Sequence, residues 1–205
     1  MRRSRVAIWL LPGMAACAPA FRAPTSAPFP ETPAESPMPP ELRSGLVPGG
    51  MADFDALLAR GLVVPVSGVR PSQIADSYDA PRDAGRRHEA VDILAPRGTI
   101  VLAADDGVIA RIGSNALGGN VIWATDADRR FAYYYAHLDR YARGLHEGQA
   151  IERGDVIGYV GTTGNAPADT PHLHFQAMRI PEGKRFSDGP PFNPLPYFRL
   201  ARATP

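Results

Sequence analysis

The stretch FAYYYAHLDRY, residues 131–141, decides the fold. Its side chains alternate with a period of two, and this is the period of a β-strand because successive side chains of a strand point to opposite faces. The pattern predicts a strand with one face made of Phe131, Tyr133, Tyr135 and His137 and the other of Ala132, Tyr134, Ala136 and Leu138. We expect the three tyrosines to serve packing. The alternative for Tyr135, which lies close to His137, is that it lines a groove.

The sequence on both sides of this strand is punctuated like an all-β domain. Between residues 62 and 180, short apolar runs such as LVVPV, TIVLAA, NVIWAT and DVIGYVG are separated by Gly, Asp, Asn or Pro about every 8–12 residues. That spacing is typical of an antiparallel sandwich or barrel. The segments PRGTIVLAADDGVIARIG and ERGDVIGYVGTTG share a turn–strand–Gly pattern, which hints at an internal duplication.

The N-terminus has the layout of an export signal. Residues 1–17, MRRSRVAIWLLPGMAAC, run from arginines through a short apolar stretch to small residues, and the stretch is too short for a stable membrane span. Met14-Ala15-Ala16-Cys17 resembles a bacterial lipobox, whose cysteine becomes the lipidated first residue of the mature protein. We therefore predict an exported, membrane-anchored lipoprotein of the cell envelope that faces the periplasm. Ordinary signal cleavage, without lipid on Cys17, would instead give a secreted protein.

The other segments outside the predicted domain differ from it in composition. Residues 18–50 are rich in Pro, Ala, Ser and Thr and can bury too little apolar surface to fold, so we predict a disordered linker. The helical spacing of apolar residues over 51–61, with Gly61 as a stop, predicts a short helix. We expect the tail, 181–205, to be irregular and to pack onto the domain through its apolar residues Phe192, Leu195, Tyr197 and Phe198.

Charge and cysteine content exclude two kinds of chemistry. The net charge of +1 lacks the basic excess of nucleic-acid-binding proteins, so we expect no nucleic-acid partner. The chain has one cysteine, which allows neither an internal disulfide nor a cysteine-based zinc site.

Four of the five histidines lie on β-like segments. In PHLHFQ, residues 171–176, His172 and His174 are two positions apart, so in a strand both rings point into one space. His88 and Asp92, in GRRHEAVDILAP, share a face if the segment between them is extended. A catalytic zinc takes three ligands of these types and keeps one position for water. His88, Asp92 and one histidine of the 172/174 pair would complete that set, and two histidines would remain for proton transfer or oxyanion stabilisation.

Three motifs in order resemble one known family. His88-x-x-x-Asp92, Tyr135-Ala136-His137-Leu138 and His172-Leu173-His174-Phe175 are together similar to the lysostaphin/LytM-type zinc metallopeptidases, which cut peptidoglycan peptide bridges. The resemblance implies an antiparallel β-sandwich/barrel-sandwich hybrid (duplicated hybrid motif) over residues 62–180, with a zinc-containing groove. It also implies one Zn²⁺ ion bound by His88, Asp92 and His174, and catalytic roles for His137 and His172.

The function implied by this resemblance is zinc-dependent hydrolysis of stem or bridge peptides of bacterial peptidoglycan. The alternative is a non-catalytic LytM-type module that binds the cell wall and activates an amidase, but degenerate family members lack metal ligands and this chain keeps all three. Whether the protein has a regulatory protein partner is left open by the sequence. There are three departures from the family pattern: Ala90 replaces Gly in HxGxD, Gln176 replaces a frequent Glu, and the loop before HLHF carries extra residues. The methyl group of Ala90 should be tolerated unless the backbone there needs a positive φ, and the other two departures concern substrate contacts more than the metal. His146 is expected to be a solvated turn residue.

Overall fold

The computed structural model describes residues 51–82 and 85–200, and the dominant element is a nine-stranded antiparallel sheet. The predictions for the signal segment, Cys17 and the linker lie outside these residues. The strands are β1 (Val91–Leu94), β2 (Ile100–Leu102), β3 (Gly107–Asn115), β4 (Gly119–Asp126), β5 (Phe131–Tyr141), β6 (Ala150–Ile151), β7 (Val156–Val160), β8 (His172–Arg179) and β9 (Pro191–Phe192). Two helices, α1 (Met51–Arg60) and α2 (Leu195–Leu200), and a 3₁₀ turn at Pro71–Gln73 complete the elements. The prediction of an all-β, antiparallel domain is confirmed.

Strand β5 is the branch point of the sheet. The main path runs β1-β8-β5-β4-β3-β6, and all of its pairings are antiparallel. The last residues of β5, from Leu138 to Tyr141, also pair with β7, which in turn pairs with β2. One long strand thus belongs to both pairings, and buried apolar residues of β2, β5 and β7 pack into one core.

Alternation along β1, β5 and β8 assigns one face of the sheet to the core. Val91 and Ile93, Tyr133 and Tyr135, and Leu173 and Phe175 are all buried. Full burial of one such side chain stabilises the fold by about 1.5–3 kcal/mol. The intervening residues Asp92, His172 and His174 must therefore emerge on the opposite face, and all three line one groove there.

One prediction about β5 is wrong, since His137 does not share the face of Tyr133 and Tyr135. The alternation breaks at a β-bulge, where two residues of β5 oppose one residue of β4 and His137 adopts φ = 60°. Leu138 consequently enters the core in the place predicted for His137, and His137 joins Ala136 in the groove. Tyr135 is buried and accepts a hydrogen bond from the Ala104 backbone N–H at 3.0 Å, so it packs rather than lining the groove.

Charged residues bind α1 to the sheet. Asp53 is 4% exposed and pairs with Arg130 at 2.5 Å and with Arg179. At the other end of the helix, Arg60 pairs with the buried carboxylates of Asp105 and Asp126. Gly61 follows with φ = 68°, a left-handed conformation that ends the helix at little steric cost.

Two segments differ from the expected secondary structure. LVVPV forms no strand, because Pro65 has no N–H for a ladder and only its carbonyl accepts a bond, from Leu102. The tail after Pro181 is not wholly irregular, since it contains β9 and α2. Phe192, Leu195, Tyr197 and Phe198 are buried there, as their apolar character suggests. Within residues 51–82 and 85–200, no helix is both long and apolar enough to cross a membrane.

Candidate metal centre

Three side chains converge on one point of the groove. His88 Nε2 lies 3.0 Å from His174 Nδ1 and 3.0 Å from Asp92 Oδ1, and His174 Nδ1 lies 3.1 Å from the same carboxylate oxygen. Ligand atoms that share one ion at about 2.0–2.2 Å must lie within about 4.4 Å of each other. The three atoms meet this condition and form a candidate metal site.

The backbone explains how residues so far apart in sequence meet. Asp92 and His174 are direct partners in the β1–β8 register, so their side chains leave the sheet side by side. His88 precedes β1, and the chain turns between them at Glu89, which has φ = 54°. Gln176 fixes that turn by donating a hydrogen bond to the Glu89 carbonyl at 3.1 Å. Ala90 is not among the positive-φ residues and is buried, so the replacement of Gly at this position is sterically acceptable.

Ser77 orients two of the three candidate ligands. Its carbonyl accepts a hydrogen bond from His88 Nδ1 at 2.8 Å, and its hydroxyl accepts one from the Asp92 backbone N–H at 3.1 Å. A carbonyl can only accept, so the proton of neutral His88 is on Nδ1 and Nε2 presents a lone pair. Hydrogen bonds of this kind to a ligand's second nitrogen fix its tautomer and orientation.

The electrostatics of the site favour a cation. Burial opposes ionisation of Asp92, but hydrogen bonds with His174 and His88 outweigh it and hold the pKa of Asp92 below its usual range. Burial lowers the pKa of His174, so this ring is neutral at pH 7. Arg82 contacts the outer oxygen of the carboxylate, Oδ2, at 2.9 Å and leaves Oδ1 directed at the two imidazoles. A carboxylate oxygen and two imidazole nitrogens are the donor set that zinc accepts.

Two further histidines stand beside this centre. His137 Nδ1 donates to the Thr163 carbonyl at 2.8 Å, and His172 Nδ1 donates to the Thr170 carbonyl at 2.8 Å. Each neutral ring therefore presents Nε2 as a proton acceptor. The two ring centroids are 4.9 Å apart, and His172 Nε2 lies 3.8 Å from Asp92 Oδ1. Burial lowers the pKa of His137 to about 4, so it is neutral at pH 7.

The groove that holds these residues has a volume of about 490 Å³. Its floor is the outer face of β5 and β8, where Tyr134 lies edge-on to His174 at 6.2 Å between centroids and accepts a bond from Asn115. One wall is the segment before β1, with arginines 82, 86 and 87. The other walls come from the β3–β4 turn and from the loop before β8, which contributes Asn165, Ala166, Pro167 and Thr170.

The structure thus gathers every residue that the sequence analysis singled out for metal binding or catalysis. His88, Asp92, His137, His172 and His174 all line the groove, whereas His146 is exposed outside it. Sequence reasoning missed Ser77, Arg82 and Tyr134. Only Tyr134 had a visible signal, because the alternation of β5 places it on the face opposite Tyr133 and Tyr135, whereas Ser77 and Arg82 lie in a stretch of no regular period.

Comparison with known proteins agrees with this geometry. Residues 86–194 match the family described as "Peptidase family M23". The L-Ala--D-Glu endopeptidase of Bacillus subtilis (strain 168) is 37% identical over 127 residues, which are 59% of this chain and 37% of that protein. Lysostaphin of Staphylococcus simulans is 36% identical over 118 residues, 57% of this chain and 22% of lysostaphin. This chain therefore spans less than two fifths of the length of either relative.

Solved structures show the same fold. The structure of lysostaphin from Staphylococcus simulans superposes with a TM-score of 0.53 at 27% identity, over 69% of this chain and 54% of that one. The LytM protein of Ruminococcus gnavus superposes with a TM-score of 0.60 at 28% identity, over 74% and 64%.

Proposed function

This chain belongs to Peptidase family M23, and from that premise we propose that it is a zinc-dependent endopeptidase that hydrolyses peptide cross-links of bacterial peptidoglycan. The endopeptidase activities named for its relatives support a hydrolytic role. The observation that carries the proposal is the triangle of His88 Nε2, Asp92 Oδ1 and His174 Nδ1, with edges of 3.0–3.1 Å, beside two histidines whose Nε2 atoms are proton acceptors. These three residues would hold the single zinc ion.

The chain's own residues define how a peptide bond is attacked. Zinc bound here would polarise the scissile carbonyl and lower the pKa of a bound water toward about 7. His172, with Nε2 3.8 Å from Asp92 Oδ1, would accept the proton of the attacking water and return it to the amine nitrogen that leaves as the scissile C–N bond breaks. His137 would stabilise the developing oxyanion by donating from Nε2 after taking up a proton from solvent, while its Nδ1–H stays on the Thr163 carbonyl. Both rings are held by backbone carbonyls through Nδ1, so the two roles can be exchanged without moving either ring.

Digestion of purified sacculi tests this function and identifies the bond. The zinc-loaded protein should release soluble peptide fragments, and mass analysis of their new termini should show cleavage within the cross-link or stem peptides. The matched control is His172→Gln with its zinc retained, which should release none. If the wild-type protein binds sacculi and stimulates a separate amidase but releases nothing alone, the non-catalytic alternative replaces this proposal.

We also propose that the protein is exported and anchored by a lipid on Cys17, with residues 18–50 as a tether to the cell wall. The basis is the sequence alone: the lipobox-like Met14-Ala15-Ala16-Cys17 and the Pro-rich composition that follows. At about 3.1 Å per residue, an extended tether of this length reaches on the order of 100 Å. Cys17→Ala should move the protein from the membrane to the soluble fraction, and an equally membrane-bound variant would refute lipid anchoring.

A further inference from the structure

The groove is electrically asymmetric. Three arginines line it, Arg82, Arg86 and Arg87, and we call these three residues the basic wall. The residues that line the opposite side carry no charge: Asn115, Leu117, Gly118, Asn165, Ala166 and Pro167. The asymmetry is local, because the whole chain has 22 basic and 21 acidic residues.

The basic wall has more cations than the described carboxylates neutralise. Arg82 contacts Asp92 at 2.9 Å, and Arg87 contacts Asp79 at 2.7 Å. Among residues 51–82 and 85–200, Arg86 has no carboxylate partner within ion-pair distance. The Arg87–Asp79 pair is about 70% exposed on both sides, and exposed pairs contribute little to stability. Arg87 can therefore exchange Asp79 for a ligand carboxylate at small cost.

The basic wall lies next to the candidate metal centre, where the scissile bond of a peptide would be. Arg82 touches the same carboxylate whose other oxygen belongs to the candidate metal triangle, so the wall begins one side chain away from that centre. Guanidinium groups bind carboxylates through two parallel N–H···O bonds, which adds orientation to charge attraction. Arg86 and Arg87 directly precede the candidate ligand His88 in the chain and line the same groove, which brings them near the proposed reaction centre.

We propose that the basic wall binds a free carboxylate of the substrate next to the scissile bond, so that the groove selects carboxylate-bearing stem peptides over uncharged bridges such as oligoglycine. This inference rests on the proposed peptidase function. Charge-assisted hydrogen bonds of this type correspond to about a tenfold to hundredfold preference. The preference resides in Arg86 and Arg87, since Arg82 is already held by Asp92.

A pair of peptides that differ only in charge tests the proposal on the full chain. One is a cross-linked stem-peptide dimer with free carboxylates, and the other is the same dimer with those carboxylates converted to carboxamides. For the zinc-loaded wild-type protein, kcat/KM should be at least tenfold higher for the free acid. The ratio should fall toward one in Arg86→Gln/Arg87→Gln, whereas Arg111→Gln, an exposed arginine of β3 outside the groove, should keep the wild-type ratio.

Binding to the metal-free protein separates this inference from the proposed function. If the free acid binds at least tenfold tighter than the amide but the zinc-loaded protein cleaves neither, the peptidase proposal fails and the carboxylate site stands. If both dimers are cleaved and bound equally, the carboxylate site is refuted and the peptidase stands. Unchanged zinc content and thermal unfolding verify that the double variant folds. Should it not fold, the wild-type comparison of the two dimers decides alone.

Discussion

Thr163 is the residue at which a small change should disturb both the fold and the chemistry. Its hydroxyl donates to the Leu138 carbonyl at 2.8 Å and accepts from the Asn120 backbone N–H at 2.9 Å. Its own carbonyl accepts the Nδ1–H of His137 at 2.8 Å. The replacement Thr163→Val exchanges the hydroxyl for a methyl group of similar size, so its effect on stability reports the two bonds of the hydroxyl.

The free energy of unfolding lost in Thr163→Val depends on which groups lose their hydrogen-bond partner. The Leu138 carbonyl still accepts from the Asn120 side chain at 3.1 Å, so little is lost there. The Asn120 backbone N–H is left without a partner at a half-buried position, which costs about 1–2 kcal/mol in addition to the lost bond of about 1 kcal/mol. With partial solvent access, we expect about 2 kcal/mol in total, or about a 30-fold larger unfolding constant.

Urea unfolding of the zinc-loaded protein measures this loss. With a slope of about 2 kcal/mol per molar urea, the midpoint should shift by about 1 M in Thr163→Val. Thr163→Ser keeps the hydroxyl and is the matched control, so its midpoint should stay close to that of the wild type. We also expect kcat to fall in the valine variant at constant zinc content, because His137 is held through the same residue. Identical midpoints for the two variants would refute the assignment of these bonds.

Three further predictions concern the histidines of the groove. His174→Ala removes one of three proposed ligands, so stoichiometric zinc should be lost in elemental analysis together with hydrolysis; retained zinc would exclude it as a ligand. His172→Gln should keep the zinc and lower kcat by about 100-fold or more, and undiminished turnover would remove it from the reaction. In the metal-free protein, the pKa of His137 is lowered to about 4, below the usual 6.5, so its contribution to stability is complete above pH 6.5 and is lost as the pH falls toward 4. The urea midpoint should drop over this range by more in the wild type than in His137→Gln, and equal drops would contradict the shift.

The predictable part of the structure is the part with a local period. Tyr133 and Phe175 face the core and His174 faces the groove because alternation in a strand depends only on neighbouring residues. The position of His137 could not be predicted in this way. Its left-handed conformation depends on a bond from its N–H to the Gly118 carbonyl at 2.7 Å, a contact made by a turn distant in sequence.

The residues around the candidate metal site could not be predicted from sequence periodicity either. Ser77 acts through a loop that has no regular repeat, and its partners are 11 and 15 residues away. Arg82 lies in the same irregular region, so its contact with Asp92 follows only from the folded chain. The candidate ligands His88, Asp92 and His174 could be predicted from the sequence because their residue types restrict the chemistry and their order matches a family. Tertiary contacts determine the remainder of the site.

Backbone strain marks the same site and leads to a last prediction. Of the three non-glycine residues with positive φ in the described chain, His137 lines the groove and Glu89 directly follows the groove residue His88. Such conformations cost about 1 kcal/mol or more and persist where the surroundings impose them. Glu89 is exposed, so Glu89→Gly removes the strain without leaving a cavity. Glycine also gains freedom in the unfolded chain, and this offsets the gain by about 0.5–1 kcal/mol.

Glu89→Gly should therefore leave the free energy of unfolding unchanged or raise it slightly, by less than about 1 kcal/mol. Zinc affinity should fall, because with glycine the turn that carries His88 toward Asp92 is more flexible in the metal-free protein. Competition with a chelator should show a several-fold larger dissociation constant, and Glu89→Ala, which keeps a Cβ at φ = 54°, should retain the wild-type value. If glycine and alanine bind zinc equally, the turn does not preorganise the ligands, and the geometry of the triangle must be attributed to the β1–β8 pairing and Ser77 alone.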